Sequence, residues 1–154
     1  MLDRLFSFFN DLSSSGGTPE LSPSDPRLAA AAILFHVMDA DGERQENEHR
    51  RIADVIAKAY NIEGPALDRL LAAGDEAEQQ AVDLYSFTSV LKRNLDNEAR
   101  IRFIELMWEV VFADGHAHEL EDNVVWRIAE LIGVSSRDRM VMKKAVAGRL
   151  GRDV

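Results

Sequence analysis

The chain has 154 residues, enough for one domain with a substantial core, and its 46% apolar and 29% charged content is that of a folded globular protein. Its 27 acidic against 18 basic residues give a net charge of −9, which disfavours nucleic acid as a partner and suits cations or basic proteins. The absence of cysteine excludes disulfides, thiolate metal sites and thiol nucleophiles, so any metal would rest on oxygen and imidazole ligands.

Leu2, Leu5, Phe6, Phe9 and Leu12 recur at helical spacing and predict a short amphipathic helix over 1–12. Asp3 and Asp11 around a lone Arg4 make a weak face for a lipid surface, and the segment lacks the form of a secretory signal. It is expected to dock on the rest of the chain or on a partner. No apolar run approaches the ~20 residues of a membrane span, so the chain is expected in the cytoplasm. Membrane association would come only through 1–12 or through a partner. Residues 13–24, rich in Ser, Gly and Pro, read as a flexible linker.

From 25 to 150 the pattern is helical throughout. Asp25-Pro26 gives a cap and a first-turn proline for RLAAAAILFHVM. NEHRRIADVIAKAY places Ile52, Val55, Ile56 and Ala59 on one face, and Gly64-Pro65 opens a helix carrying Leu67, Leu70 and Leu71. LYSFTSVLKRNL is the next, and Asp96 caps IRFIELMWEVVF. ELEDNVVWRIAELI ends at Gly133, and Ser135 or Ser136 starts the last helix, DRMVMKKAVAGRL. No period-2 segment bounded by hairpin turns is present, so the predicted class is all-α with about seven helices. AAAAILFHVM and IELMWEVVFA are apolar on several faces and are expected to be central. Met107, Trp108, Trp126 and Met140 are expected in the core.

The chain repeats itself. Ala40-Asp41-Gly42 and Ala113-Asp114-Gly115 lie 73 residues apart, and around them Leu34-Phe35 aligns with Met107-Trp108, Val37 with Val110, Glu46 with Glu119, Glu48 with Glu121, and Val55 with Ile128. This self-similarity predicts a duplicated helix-loop-helix whose long apolar helices pack together and whose loops are related by a pseudo-twofold.

A buried helix ending in Ala-Asp-Gly, an acidic loop and a glutamate seven residues after the Asp, all occurring twice, resembles the TerB family. That family includes tellurite-resistance TerB proteins and the TerB-like domain of a DnaJ-type co-chaperone. The resemblance covers roughly residues 26–148 and matches Asp41 and Asp114, Gly42 and Gly115, and Glu48 and Glu121 to the family's pattern. It implies an all-helical fold, a bacterial stress system and metal binding through the acidic residues, with no established enzymatic activity. Gln45 and His118 depart from the family's usual Asp or Ser, so the acidic character carries over but the identity of a metal does not.

Two physical accounts explain the same residues. In the first they are helix punctuation: glycine supplies the left-handed conformation that ends a helix, Asp bonds nearby backbone N–H groups, and a glutamate near the third position caps the next helix. In the second they hold a divalent cation, which wants several oxygens at ~2.0–2.6 Å. Asp41, Glu48, Asp114 and Glu121 are the leading candidates, with Asp39, Glu46 and Glu119 beside them. From Glu105 to Asp122 there are six carboxylates and no Lys or Arg within the segment to neutralise them. His116 and His118 add two imidazoles, acceptable zinc chemistry with Asp114 or Glu119. An EF-hand is excluded, because aligning Asp41-Gly42 with that loop puts Val37 at its first ligand position. His36 reads as a core or boundary histidine, and His49 as solvent-facing.

No GxGxxG, Walker loop, GxSxG or HExxH is present, so no enzymatic activity is expected. The expected function is divalent-cation binding coupled to a protein partner. The alternative is a metal-free interaction module that uses its acidic face or the Phe-rich segment 1–12.

Overall fold

The computed structural model describes residues 24–41, 46–114 and 119–151, with the side chains of 41–48 and of 114–118 outside that description. Seven α-helices occupy the described residues, with no strand among them. The expectations for 1–12 and for most of the linker fall outside the described residues.

Helix α1 (Pro26–Met38) starts where the sequence predicts. The Asp25 carboxylate accepts the Arg27 backbone N–H at 2.9 Å, and Pro26 sits where a helix has no use for its missing N–H. The helix is apolar on every side, and Ala29 to Phe35 are buried without a break. A helix of that kind is stable only when other helices surround it. α3 (Gly64–Gln80) packs on it most extensively, with α2 (Glu46–Tyr60), α4 (Tyr85–Asn94), α5 (Asn97–Val111) and α6 (Glu119–Ile132) around the rest. The α1–α3 approach is close because position 74 is glycine, where an added Cβ would lie 2.6 Å from the Ala31 Cβ.

Helix α5 is the second central helix. The Asp96 side chain accepts the Ala99 N–H at 2.8 Å, and Phe103, Ile104, Met107, Trp108 and Val111 are buried. α7 (Ser136–Arg149), capped by Ser135, packs on α5 as α3 packs on α1. Gly133 ends α6 at φ +81°, with the Val134 N–H bonding the Ala129 carbonyl at 2.8 Å, the wide bond that closes a helix on a left-handed residue. Asn61 (φ +50°) ends α2 in the same way, through Ile62 N–H to Ala57.

The duplication is visible in the packing. α1 touches α5, α1 touches α6, and α2 touches α5. A 3-10 turn, Asp39–Asp41, follows α1, and its counterpart Phe112–Asp114 follows α5. The first turn packs on α6 and the second on α2, so each turn meets the amphipathic helix of the other repeat. α4 sits outside this relation and bridges α1 to α6.

Two residues expected in the core lie elsewhere. Trp126 is 46% exposed and Met140 is only partly buried, whereas Met107 and Trp108 are enclosed. The buried stripe of α6 runs through Val125, Ile128, Ala129 and Ile132, which turns the neighbouring Trp126 to solvent. No helix among the described residues is long and apolar enough to cross a membrane.

Candidate metal site at the duplicated acidic turns

The first turn is built by the end of α1. The Asp39 backbone N–H bonds the carbonyls of Phe35 and Val37, closing α1 where the chain passes into the 3-10 turn. Asp39 is half-buried and engaged: its carboxyl shares a hydrogen bond with Glu78 on α3, and His36 Nδ1 lies 3.3 Å from Glu78 Oε1. Burial, with Asp39 adding to it, pushes the Glu78 carboxyl above its usual range, and the His36 hydrogen bond opposes that rise. Glu78 has no signature in the sequence. It stands in a polar helix end 42 residues from His36, and no spacing rule links the two.

The second turn differs in kind. The residue aligned with Asp39 is Phe112, fully buried, its ring centroid 5.9 Å from that of Trp108. The partner of His36 in the alignment is Glu109, which accepts from Arg149 at 2.6 Å. Trp108 donates its indole N–H to the Arg139 carbonyl at 3.2 Å, and Lys143 lies 5.2 Å from the Trp108 ring. The first loop therefore has one more carboxylate, and the second is anchored by an aromatic pair.

The acidic run before and after the second turn is less bare than its sequence suggests. α7 supplies two of the missing cations, Lys143 and Arg149, and the start of α5 supplies Arg102. Arg149 bonds Glu105 at 2.8 Å as well as Glu109, Arg102 also bonds Glu105, and Lys143 bonds Asp122 at 2.8 Å. Burial alone would raise the Glu105 carboxyl, but the hydrogen bonds from Arg102 and Arg149 outweigh it and hold it below the usual carboxylate range. Three of the six carboxylates are thus committed to structure, which corrects the expectation of an uncompensated acidic run.

Glu121 is the exception in burial. It is 2% exposed, the one buried charged residue among those described, and it interacts with neighbouring groups. A carboxylate loses most of its hydration there, a loss of several kcal/mol that only bonded partners or a cation can offset. Its neighbour Glu119 is exposed on the first turn of the same helix. α6, which carries both, is the helix against which the Asp39–Asp41 turn packs.

Among the described residues no group of three or more His, Cys, Asp or Glu side chains is placed to hold a metal ion. A complete set would need the side chains of Asp41, Glu46, Glu48 and Asp114, or His116 and His118, all outside the described residues. The donor chemistry suits a hard cation, carboxylates and turn carbonyls with no thiolate. His49, predicted to face solvent, is exposed, with its ring centroid 5.4 Å from that of Phe35.

Comparison with known proteins agrees with the architecture. The family model described as tellurite resistance protein TerB matches residues 27–144, about three quarters of the chain. The chain is also 29% identical over 122 residues to the co-chaperone protein DjlA of Photobacterium profundum. That match covers 76% of the chain but 44% of the relative, so the chain spans less than half of that protein's length. No solved structure gives a significant match.

Proposed function

The chain belongs to the TerB family, and from that premise we propose that it is a non-enzymatic domain whose two acidic turns bind divalent cation in the bacterial cytoplasm, as part of a stress response. The observation that carries this reading is Glu121, a carboxylate with 2% exposure on the helix that meets the opposite repeat's Asp39–Asp41 turn. Caps of this type ordinarily sit at the solvent edge of a helix, where water shares the charge. Glu121 already meets neighbouring groups, and in this reading cation coordination adds to that balance while tying the repeats together. Asp41, Glu48, Asp114 and Glu121 are the leading ligands in this reading. Asp39, Glu46, Glu119, His116 and His118 complete the set around them.

The experiment is thermal unfolding of EDTA-treated protein with Mg²⁺, Ca²⁺, Mn²⁺ and Zn²⁺ added separately, repeated on Asp41→Asn/Asp114→Asn. An ion at about 100 times its Kd adds ~2.7 kcal/mol, or roughly 5–10 °C for a domain of this size. Asn retains most capping ability, so the shift should vanish in the double variant while its metal-free melting stays near that of the parent. No shift with any of the four ions at millimolar concentration would leave helix punctuation as the account of these residues.

A second reading is a protein-interaction module. It is favoured by Leu120 and Trp126 on α6 and Val141 on the adjoining α7, which are 46–53% exposed. An indole left half in solvent is a group that protein interfaces use. The relative named as a co-chaperone fits a protein partner of this kind. The two readings are compatible, with cation binding setting the geometry of the surface that the partner meets.

A further inference from the structure

A separate cavity of about 380 Å³ lies between α2, α5 and the end of α7. Arg51, Lys58, Arg102 and Arg149 line it, against two lining carboxylates, Asp54 and Glu109. Four cations around one small space are unexpected in a chain of net charge −9. Their commitments are unequal. Arg149 is taken by Glu105 and Glu109, and Arg102 gives one N–H to Glu105. Arg51 and Arg102 each bury a guanidinium Nε that has no acceptor among the described residues, two of four such arginines there. The remaining wall is apolar, from Val55, Leu106 and Leu150.

We propose that this cavity binds a small phosphate-bearing ligand, with Arg51, Lys58 and Arg102 as its donors. Guanidinium groups present paired N–H donors in a plane, the arrangement that matches phosphate oxygens, and a lysine adds a mobile point charge. Glu105 and Glu109 hold Arg149 and one arm of Arg102, which fixes the far wall and leaves Arg51 and Lys58 to meet the anion. Arg51 and Lys58 stand seven residues, about two turns, apart on α2, so they share a face, with the lining Asp54 between them in sequence. The volume falls within the range of small-molecule sites, and the apolar wall favours an ester with a short hydrocarbon or ring over the bare ion. None of the acidic-turn residues described lines the cavity.

The test is titration of the full chain, in EDTA, with inorganic phosphate and with phenyl phosphate, followed by backbone amide chemical shifts. The expected result is saturable change centred on 51–59, 102–109 and 149–150, with phenyl phosphate the tighter ligand. Arg51→Gln/Lys58→Gln should weaken both by about tenfold or more while melting within a few degrees of the parent. Arg93→Gln/Arg100→Gln, at the separate basic groove between α4 and the start of α5, should leave affinity unchanged. Shifts that never saturate, or equal weakening by both variants, would reduce the effect to general charge attraction and overturn the proposal. So would unchanged affinity in the Arg51/Lys58 variant.

Discussion

Replacing Gly74 with Ala tests the packing on which the first repeat depends. Position 74 is inside α3, so alanine improves helix propensity by about 1 kcal/mol. Against that gain, the new Cβ would stand 2.6 Å from the Ala31 Cβ and 3.3 Å from the backbone of Ala31 and Ala32. Neither neighbour is the end of a flexible side chain, so α1 and α3 must move apart. Overpacking of this kind costs about 1–3 kcal/mol, and contact with backbone as well as a methyl places it toward the upper part of that range. The expected net loss is about 1–2 kcal/mol, a melting temperature lower by roughly 3–8 °C. Circular dichroism melts and urea unfolding would measure it. Ala31→Gly/Gly74→Ala, which moves the methyl from one helix to the other, should recover about 1–2 kcal/mol relative to the sum of the single changes. A Gly74→Ala protein as stable as the parent, or more stable, would refute the close α1–α3 approach and with it the geometry that sets Glu78 beside His36 and Asp39.

Glu105, held below its ordinary 4.5, contributes stability that is complete above its unfolded value and is lost as pH falls through its lower folded value. Arg149→Gln should therefore melt below the parent at neutral pH, with the gap narrowing through the acid range; a gap constant with pH would exclude the Arg149–Glu105 contact as its source. Glu78 has the opposite sign. Its raised carboxyl contributes stability below the unfolded value that is lost as pH rises through the folded one. Glu78→Gln is accordingly expected to match or exceed the parent's melting temperature near neutral pH and to lose that advantage in acid, and an advantage that persists in acid would contradict this. The two tryptophans separate cleanly. Trp108→Phe leaves only Trp126, whose emission should be red-shifted and readily quenched by acrylamide, whereas Trp126→Phe should leave a blue-shifted, protected Trp108. On truncation to alanine, position 108 should cost about 3–5 kcal/mol and position 126 about 1 kcal/mol or less, read by urea unfolding.

The helices and their ends were legible because their causes are local. Asp25, Asp96 and Ser135 cap because a short oxygen-bearing side chain reaches an N–H two or three residues on. Gly133 stops α6 because only a left-handed residue closes that bond pattern. The repeat was legible as well, since two copies carry the same apolar register around Asp-Gly. The site was legible only as a set of acids. Asp39, a ligand candidate by its place in the loop, pairs with Glu78 from another helix, and Phe112 replaces it in the second copy.

What the sequence determined by itself is the all-helical class, the central place of the two apolar helices and the duplication that relates them, since periodicity and capping act over a few residues. What the tertiary structure decided is which charges remain available. Arg149 neutralises Glu105 and Glu109 from 44 and 40 residues away, and Lys143 reaches Asp122 across 21. Only the packing of α6 buries Glu121 while turning Trp126 outward. Coulombic pairing and desolvation depend on distance in space, and helix packing brings together positions that no sequence period connects.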